Sequence, residues 1–189
     1  HRDLHSFPTR RSSDLDTLAR INQAALEFFQ TELYRSDKAL NYLKNERHLT
    51  QATIGAFQLG YGADGILNYL QEKGFTKEQI LVADLIMEND NGTTYDKFRG
   101  RIIFPITDRR GRIAGFSGRI LENSKSRAKY LNTKETILFK KDSILFGYHE
   151  NAQAIRDMGS AMLVEGYMDV IGIWQAGIRS EEHTSELQS

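Results

Sequence analysis

The sequence contains no cysteine, which excludes disulfides and thiolate zinc sites in this stretch of chain and suits a reducing compartment. It has only two prolines, Pro8 and Pro105. No apolar run approaches the roughly 20 residues that span a bilayer. Net charge is missing too: 25 Lys and Arg balance 25 Asp and Glu over 189 residues. That balance argues against a protein coated in basic charge, yet it permits a local basic groove. Neither an internal repeat nor a low-complexity segment is present.

The two ends stand apart from the rest. Residues 1–15 (HRDLHSFPTRRSSDL) and 179–189 (RSEEHTSELQS) can each be written, residue for residue, as the translation of a sequencing-library adapter. On this reading they are artefactual, disordered tails with no weight in fold or function, although ordinary polar termini have the same composition. His1, His5 and His183 then say nothing about metals. Residues 16–178 hold 21 basic and 20 acidic side chains, in a length that suits one or two domains with a real core.

From 16 to about 33, apolar residues recur at Leu18, Ile21, Ala25, Phe28 and Phe29, the stripe of an amphipathic helix. Ser36 is placed to cap a second short helix bearing Leu40 and Leu43, and Thr50 a third bearing Ile54 and Phe57. Residues 64–73 predict another helix, closed by Gly74. Thr76 with Gln79 makes a capping-box pattern that starts the next helix, through Ile80, Leu81, Ala83 and Ile86, and Asn89-Asp90-Asn91-Gly92 is a turn. The texture then becomes strand-like. Residues 101–107 and 112–120 flank Asp108-Arg109-Arg110-Gly111 and predict a β-hairpin. Pro105, lacking an amide donor, belongs at a bulge or an edge. Residues 123–127 form a polar loop and 147–158 a helix. Residues 161–164 predict a short buried strand, and a last helix runs from Tyr167 to about Ala176, completing the first half of a βαβ unit.

Two constellations carry chemistry. Val164-Glu165-Gly166-Tyr167-Met168-Asp169 places a carboxylate at the carboxyl end of a predicted strand, followed by glycine and a helix, where open α/β sheets bind ligands. An acid there can hold Mg²⁺, which takes hard oxygen ligands and generally needs more than one carboxylate. Equally, Glu165 can simply end a strand while Asp169 is a first-turn acid favoured by the helix dipole. The second constellation is cationic. Arg99, Arg101, Arg109, Arg110, Arg112, Arg119, Lys125, Arg127 and Lys129 lie on or beside the hairpin, and Tyr130 and Asn132 follow at once. Positive charge tracks phosphates, an aromatic ring stacks on a base, and asparagine bonds base edges or sugar. Arg99 and Arg101, two apart on a strand, would share a face. Ordinary solvated strand faces and a polar turn would give the same composition.

The blocks Tyr95-Asp96-Lys97-Phe98-Arg99-Gly100-Arg101-Ile102-Ile103-Phe104-Pro105-Ile106, then 111–119 (GRIAGFSGR), 129–136 (KYLNTKET), 145–147 (LFG) and 164–170 (VEGYMDV) resemble, in order and spacing, the catalytic core of the bacterial DnaG-type DNA primases. Residues 42–47 (YLKNER) and 54–61 (IGAFQLGY) match more loosely. The resemblance implies an α+β fold: a helical N-terminal part with a small mixed or antiparallel sheet over 16–158, then the first βα unit of a truncated TOPRIM α/β domain over 159–178.

The resemblance further implies a nucleotidyltransferase that makes short RNA primers on single-stranded DNA template during replication, in the bacterial cytoplasm at the replication fork. Its partners would be template, NTPs and RNA primer, with Mg²⁺ or Mn²⁺ as cofactor. Zinc would belong to an N-terminal module, and the replicative helicase would be met by a C-terminal domain, neither of them in this sequence. Carried over, Glu165 matches the TOPRIM glutamate, a metal ligand or acid–base group, and Asp169 its acidic neighbour. Arg47, Arg99, Arg101, Arg119, Lys129, Tyr130 and Asn132 match positions in a basic groove that guides template or binds nucleotide. TOPRIM proteins add an Asp-x-Asp pair on a strand after the glutamate, and none follows Glu165 before Ile178, so this piece alone is expected to be inactive. His48 departs from the pattern, standing where many relatives have glycine. Two other readings keep part of this picture: a non-catalytic single-stranded nucleic-acid-binding module, and another TOPRIM enzyme such as a topoisomerase or nuclease.

Overall fold

Residues 6–122, 128–142 and 144–177 are described by a computed structural model of the chain. The N-terminal apolar stripe builds helix α1, Ser6–Arg35, burying Leu18, Ile21, Ala25, Phe28, Phe29 and Leu33. The stretch before Asp16, expected to be disordered, is therefore helical from Ser6. A helix already nucleated by a buried stripe extends by propagation alone, and Leu15 packs at the margin of the core. Residues 1–5 and 178–189, with Lys125 and Arg127, lie outside the described residues.

The capping signals are realised. Ser36 accepts the Ala39 amide at the start of α2, Asp37–Asn41, which runs directly into one π-helical turn, Tyr42–Glu46. Thr50 accepts the Thr53 amide and opens α3, Gln51–Ala56. The amides of Gly65 and Ile66, at the head of α4, Ile66–Glu72, are bound by Asp96 Oδ2. Helix α5, Lys77–Val82, carries the full reciprocal capping box of Thr76 and Gln79, but it stops short of Ile86, which opens a strand instead once Asp84 has turned the chain at φ +58°.

The sheet is antiparallel throughout. Strands β1 (Gly60–Gly62), β4 (Arg101–Thr107), β5 (Ile113–Ile120) and β6 (Tyr130–Asn132) follow one another in the order β1-β4-β5-β6. A separate hairpin joins β2 (Ile86–Glu88) to β3 (Thr94–Asp96) across the Asn89–Gly92 turn. Pro105 falls where β1 no longer runs alongside β4, since β1 ends its pairing at Gly60↔Ile103, and the register shifts just beyond, between Ile106 and Thr107. The missing amide donor thus meets both an edge and a bulge.

Alternation along the strands sends side chains to two faces, each with its own core. On one face Ile103 and Phe116 pack under α1, where Phe29 meets Phe116 edge-on at 5.1 Å and Phe98 at 6.2 Å. On the other, Ile102 and Phe104 pack against Tyr42, Leu43, Ile54 and Phe57, and against Ile171 of α7, Tyr167–Gln175.

Residues 161–164 form neither a strand nor a buried segment. Met162 is 66% and Leu163 74% exposed. Apolar sequence alone does not make a strand: its amides and carbonyls need a partner, and no strand of the described residues lies alongside. The preceding helix α6, Tyr148–Met158, likewise buries no residue, whereas α7 forms as its sequence predicts.

The turn between β4 and β5 is organised by Asp108, whose Oδ1 accepts the amides of Arg110 and Arg112 at 2.8 and 3.0 Å while Oδ2 accepts Arg112 Nε at 2.8 Å. Burial pushes this carboxyl up, but the bonds from the Arg112 side chain and from the two amides outweigh it and hold it below the usual carboxylate value. A depressed folded value means stability that is present above the unfolded pKa of about 3.9 and is lost as pH falls through the folded one. Asp108→Asn is expected to cost about 1 kcal/mol at neutral pH and to flatten the acid limb of the melting-temperature profile. An unchanged acid limb in calorimetry would assign that limb to other carboxylates.

Candidate nucleic-acid interface

Strand register decides which of the predicted residues can act together. Tyr61, Ile102, Arg119 and Tyr130 form one cross-strand row, and Phe104, Ser117 and Asn132 the next but one. Directly paired residues project from the same face. Arg119, Tyr130 and Asn132 therefore rise beside Ile102 and Phe104, on the face opposite α1.

The π-helical turn adds a second layer to this face. Tyr42 stands between two guanidinium groups, with Arg47 at 5.2 Å and Arg119 at 5.0 Å from its ring centre. Arg47 Nε also donates to Tyr42 Oη at 2.6 Å. Such turns are rare and concentrate at functional sites, and here the wider turn closes with the Arg47 amide donating to the Tyr42 carbonyl. His48 then adopts φ +54°, in the left-handed region that glycine enters freely. The loop is held across the sequence by Gln175, whose Oε1 accepts the Thr50 amide and whose Nε2 donates to His48 O, both at 2.8 Å.

Tyr167 joins the acidic motif to the basic one. Its ring stacks on Phe104 at 5.3 Å, tilts against Tyr130 at 5.8 Å and meets Phe146 edge-on at 4.8 Å. Its hydroxyl donates to Asn132 Oδ1 at 3.3 Å. Glu165 and Asp169, both exposed, flank this tyrosine at the head of α7. Two exposed carboxylates do not fit Mg²⁺ by themselves, because that ion demands near-octahedral oxygen ligation. No group of three metal-capable side chains converges among the described residues.

The remaining predicted residues divide. Arg47 and Lys129 are exposed, Lys129 one position ahead of β6, whereas Arg119 is only 9% exposed. Arg99 is exposed and pairs with Asp64 at 2.9 Å. Arg99 and Arg101 do not share a face, since Gly100 at φ +72° separates Arg99 from the strand. Arg101 is corrected from a surface contact to a buried support: it is 1% exposed, and its Nη1 donates to the carbonyls of Gly118, Ala128 and Lys129 at 3.1, 3.0 and 3.4 Å. Arg109 and Arg110 are exposed in the hairpin turn. Sequence reasoning missed Tyr42, Tyr167 and Gln175 as parts of the site. The first two look like core aromatics, and nothing local marks a glutamine that reaches another loop.

The chain matches the family model described as "DNA primase catalytic core, N-terminal domain" over residues 28–152. It is 45% identical over 164 residues to the DNA primase of Deinococcus radiodurans, covering 85% of this chain and 28% of that protein. It is 42% identical to the DNA primase of Pseudomonas aeruginosa, covering 95% and 29%. This chain thus spans under a third of the curated relatives it matches. Among solved structures it resembles a DnaG primase catalytic domain bound to ssDNA (TM-score 0.80, 36% identity, 89% of this chain and 55% of that one). It also resembles the zinc-binding and RNA polymerase domains of the Aquifex aeolicus primase (TM-score 0.82, 31% identity, 88% and 41%).

Proposed function

Because this chain belongs to the DNA primase catalytic-core family, we propose that the protein it is part of is a DNA-dependent RNA polymerase that builds short RNA primers on a single-stranded template. One observation carries this reading. Tyr167 lies against Phe104 and Tyr130 and bonds Asn132, bringing the Glu165–Asp169 turn to the face that carries Arg119 and the Tyr42–Arg47 stack. Nucleotidyl transfer needs both parts together, a surface that holds a polyanion and acids beside it.

Arg47, Arg119 and Lys129 would neutralise template or nucleotide phosphates, with Arg99 extending the positive surface. Tyr130 offers a ring on which a base can stack, and Asn132 can bond a base edge or sugar. Residues 16–158 read as the N-terminal subdomain of the core and 159–178 as the start of its TOPRIM domain. Glu165 would be one metal ligand of the whole protein, Asp169 its acidic neighbour, and the Asp-x-Asp partners lie outside this chain. NTPs and primer are substrates of the whole enzyme, acting in the bacterial cytoplasm. Zinc and helicase contacts belong to segments outside this sequence.

The test is binding of a fluorescein-labelled, mixed-sequence single-stranded oligonucleotide. Tyr130→Ala is expected to weaken binding by about 1–2 kcal/mol, roughly five- to thirtyfold. Arg47→Ala should lower the slope of log affinity against log salt by about 0.7. Wild-type affinity and slope in both variants would sink the reading. With NTPs and Mg²⁺ the chain alone is expected to add no nucleotide to a primer, and measurable incorporation would contradict that expectation.

A further inference from the structure

Outside that face, one charged pair has no part in the contacts described so far. The side chains of Asp84 and Lys97, 9% and 4% exposed, are bonded to each other in the interior. A buried pair of this kind adds little net stability, because desolvation offsets the Coulombic attraction. Burial holds the Lys97 ammonium below its ordinary value even with Asp84 beside it. Asp84 also sits at φ +58°, a backbone conformation that carries a cost for any residue but glycine.

What the pair holds is the end of β6. Asp84 Oδ2 accepts the Lys134 amide at 2.6 Å, and Lys97 Nζ donates to the Asn132 carbonyl at 2.8 Å. Between these two points Thr133 donates its amide to Phe116 O at 2.8 Å and accepts the Phe116 amide on Oγ1 at 2.9 Å. Strand β6 is three residues long and lies at the sheet edge, where a short strand frays unless something ties it down. Tyr130 and Asn132 are two of those three residues.

We propose that the Asp84–Lys97 pair is a positioning device for the nucleic-acid face: it fixes the backbone of residues 132–134 from the interior and so sets where Tyr130 and Asn132 stand. The inference rests on the single-strand-binding reading above. Lys97 is not itself a phosphate contact, since its ammonium is buried and committed to Asp84 and to the Asn132 carbonyl.

The test removes both charges at once in Asp84→Gly/Lys97→Met, since a single substitution would strand a buried charge. Glycine suits the positive φ, and methionine keeps the volume. The double variant is expected to stay folded, melting somewhat below wild type because the Lys134 amide and the Asn132 carbonyl lose their partners, and its amides over 130–134 should exchange about tenfold faster. Its affinity for the labelled single strand should fall about tenfold with an unchanged salt slope. Lys97→Arg, which keeps the charge and both donations, is expected to retain affinity. Unchanged exchange, or faster exchange with unchanged affinity, overturns the inference. A salt slope lowered by about 0.7 would make Lys97 a phosphate contact and overturn it as well. A double variant that does not fold would mark the pair as a stability element only. If wild type itself does not bind the single strand, the binding reading fails first, and this inference with it.

Discussion

Arg101→Ala is expected to destabilise the protein by about 3–5 kcal/mol, read as a lower urea midpoint at an unchanged slope. The side chain is among the largest fully buried ones, so truncation leaves a cavity. It also strips a donor from the carbonyls of Gly118, Ala128 and Lys129; Lys129 O keeps the Ile120 amide at 2.9 Å, and a carbonyl left unsatisfied in the interior costs about 1–3 kcal/mol. Arg101→Met keeps most of the volume and should recover the cavity part alone, at a loss of about 2 kcal/mol. Arg101→Lys keeps the charge, but a single ammonium cannot reproduce the planar fork, so it should fall between the two. A loss under about 1 kcal/mol for the alanine variant would mean that the guanidinium does not hold these strands together. In the binding assay, folded Arg101→Met should leave the salt slope unchanged, which separates it from Arg47.

Gly62→Ala is expected to cost about 3 kcal/mol and Gly55→Ala to cost nothing. A Cβ on Gly62 would lie within 2.7 Å of the Phe98 carbonyl carbon and closer still to its oxygen. Neither side can yield. The Phe98 ring is fixed in the core, and the Gly100 amide donates to Gly62 O at 2.7 Å, locking the two backbones together. At Gly60, two residues earlier, a Cβ would meet Phe29 Cβ at 2.6 Å, so glycine at 60 lets β1 lie under α1 while glycine at 62 lets it lie against the Phe98 backbone. Gly55, by contrast, is exposed on α3 with nothing within 4 Å of an added Cβ. Thermal melts of the two variants side by side check the contrast. Equal melting temperatures would show that the Gly62 backbone can relax.

What was legible in the sequence is what chain neighbours decide. The α1 stripe, the Ser36 and Thr50 caps, the Thr76 capping box and the β4–β5 hairpin are set by residues within a few positions of one another, and all are present. β1, β2, β3 and β6 went unread because three residues are too few for alternation to show, and their pairing is decided elsewhere in the chain. Arg101 was misread for the same reason: an arginine beginning a strand looks solvent-facing until distant carbonyls close round it. The apolar run at 161–164 erred the other way, since burial needs a neighbour as well as a side chain. Within the site, residue types were legible and grouping was not. Arg119, Tyr130 and Asn132 share a face by register, while Arg99 and Arg101 are parted by one left-handed glycine. The family match and the solved neighbours are primases, and no observation favours a topoisomerase or nuclease.

The Gln175 bridge to His48 and Thr50 also has a meaning in time. It joins positions 127 and 125 residues apart, whereas the helix caps close over three. Contacts of such high order form late, because the loop they close must first be searched. On a ribosome, which releases the chain from its N-terminus, α1 to α3 can form while α7 does not yet exist. The loop that carries Arg47 therefore waits for its last tie while the next 127 residues are made.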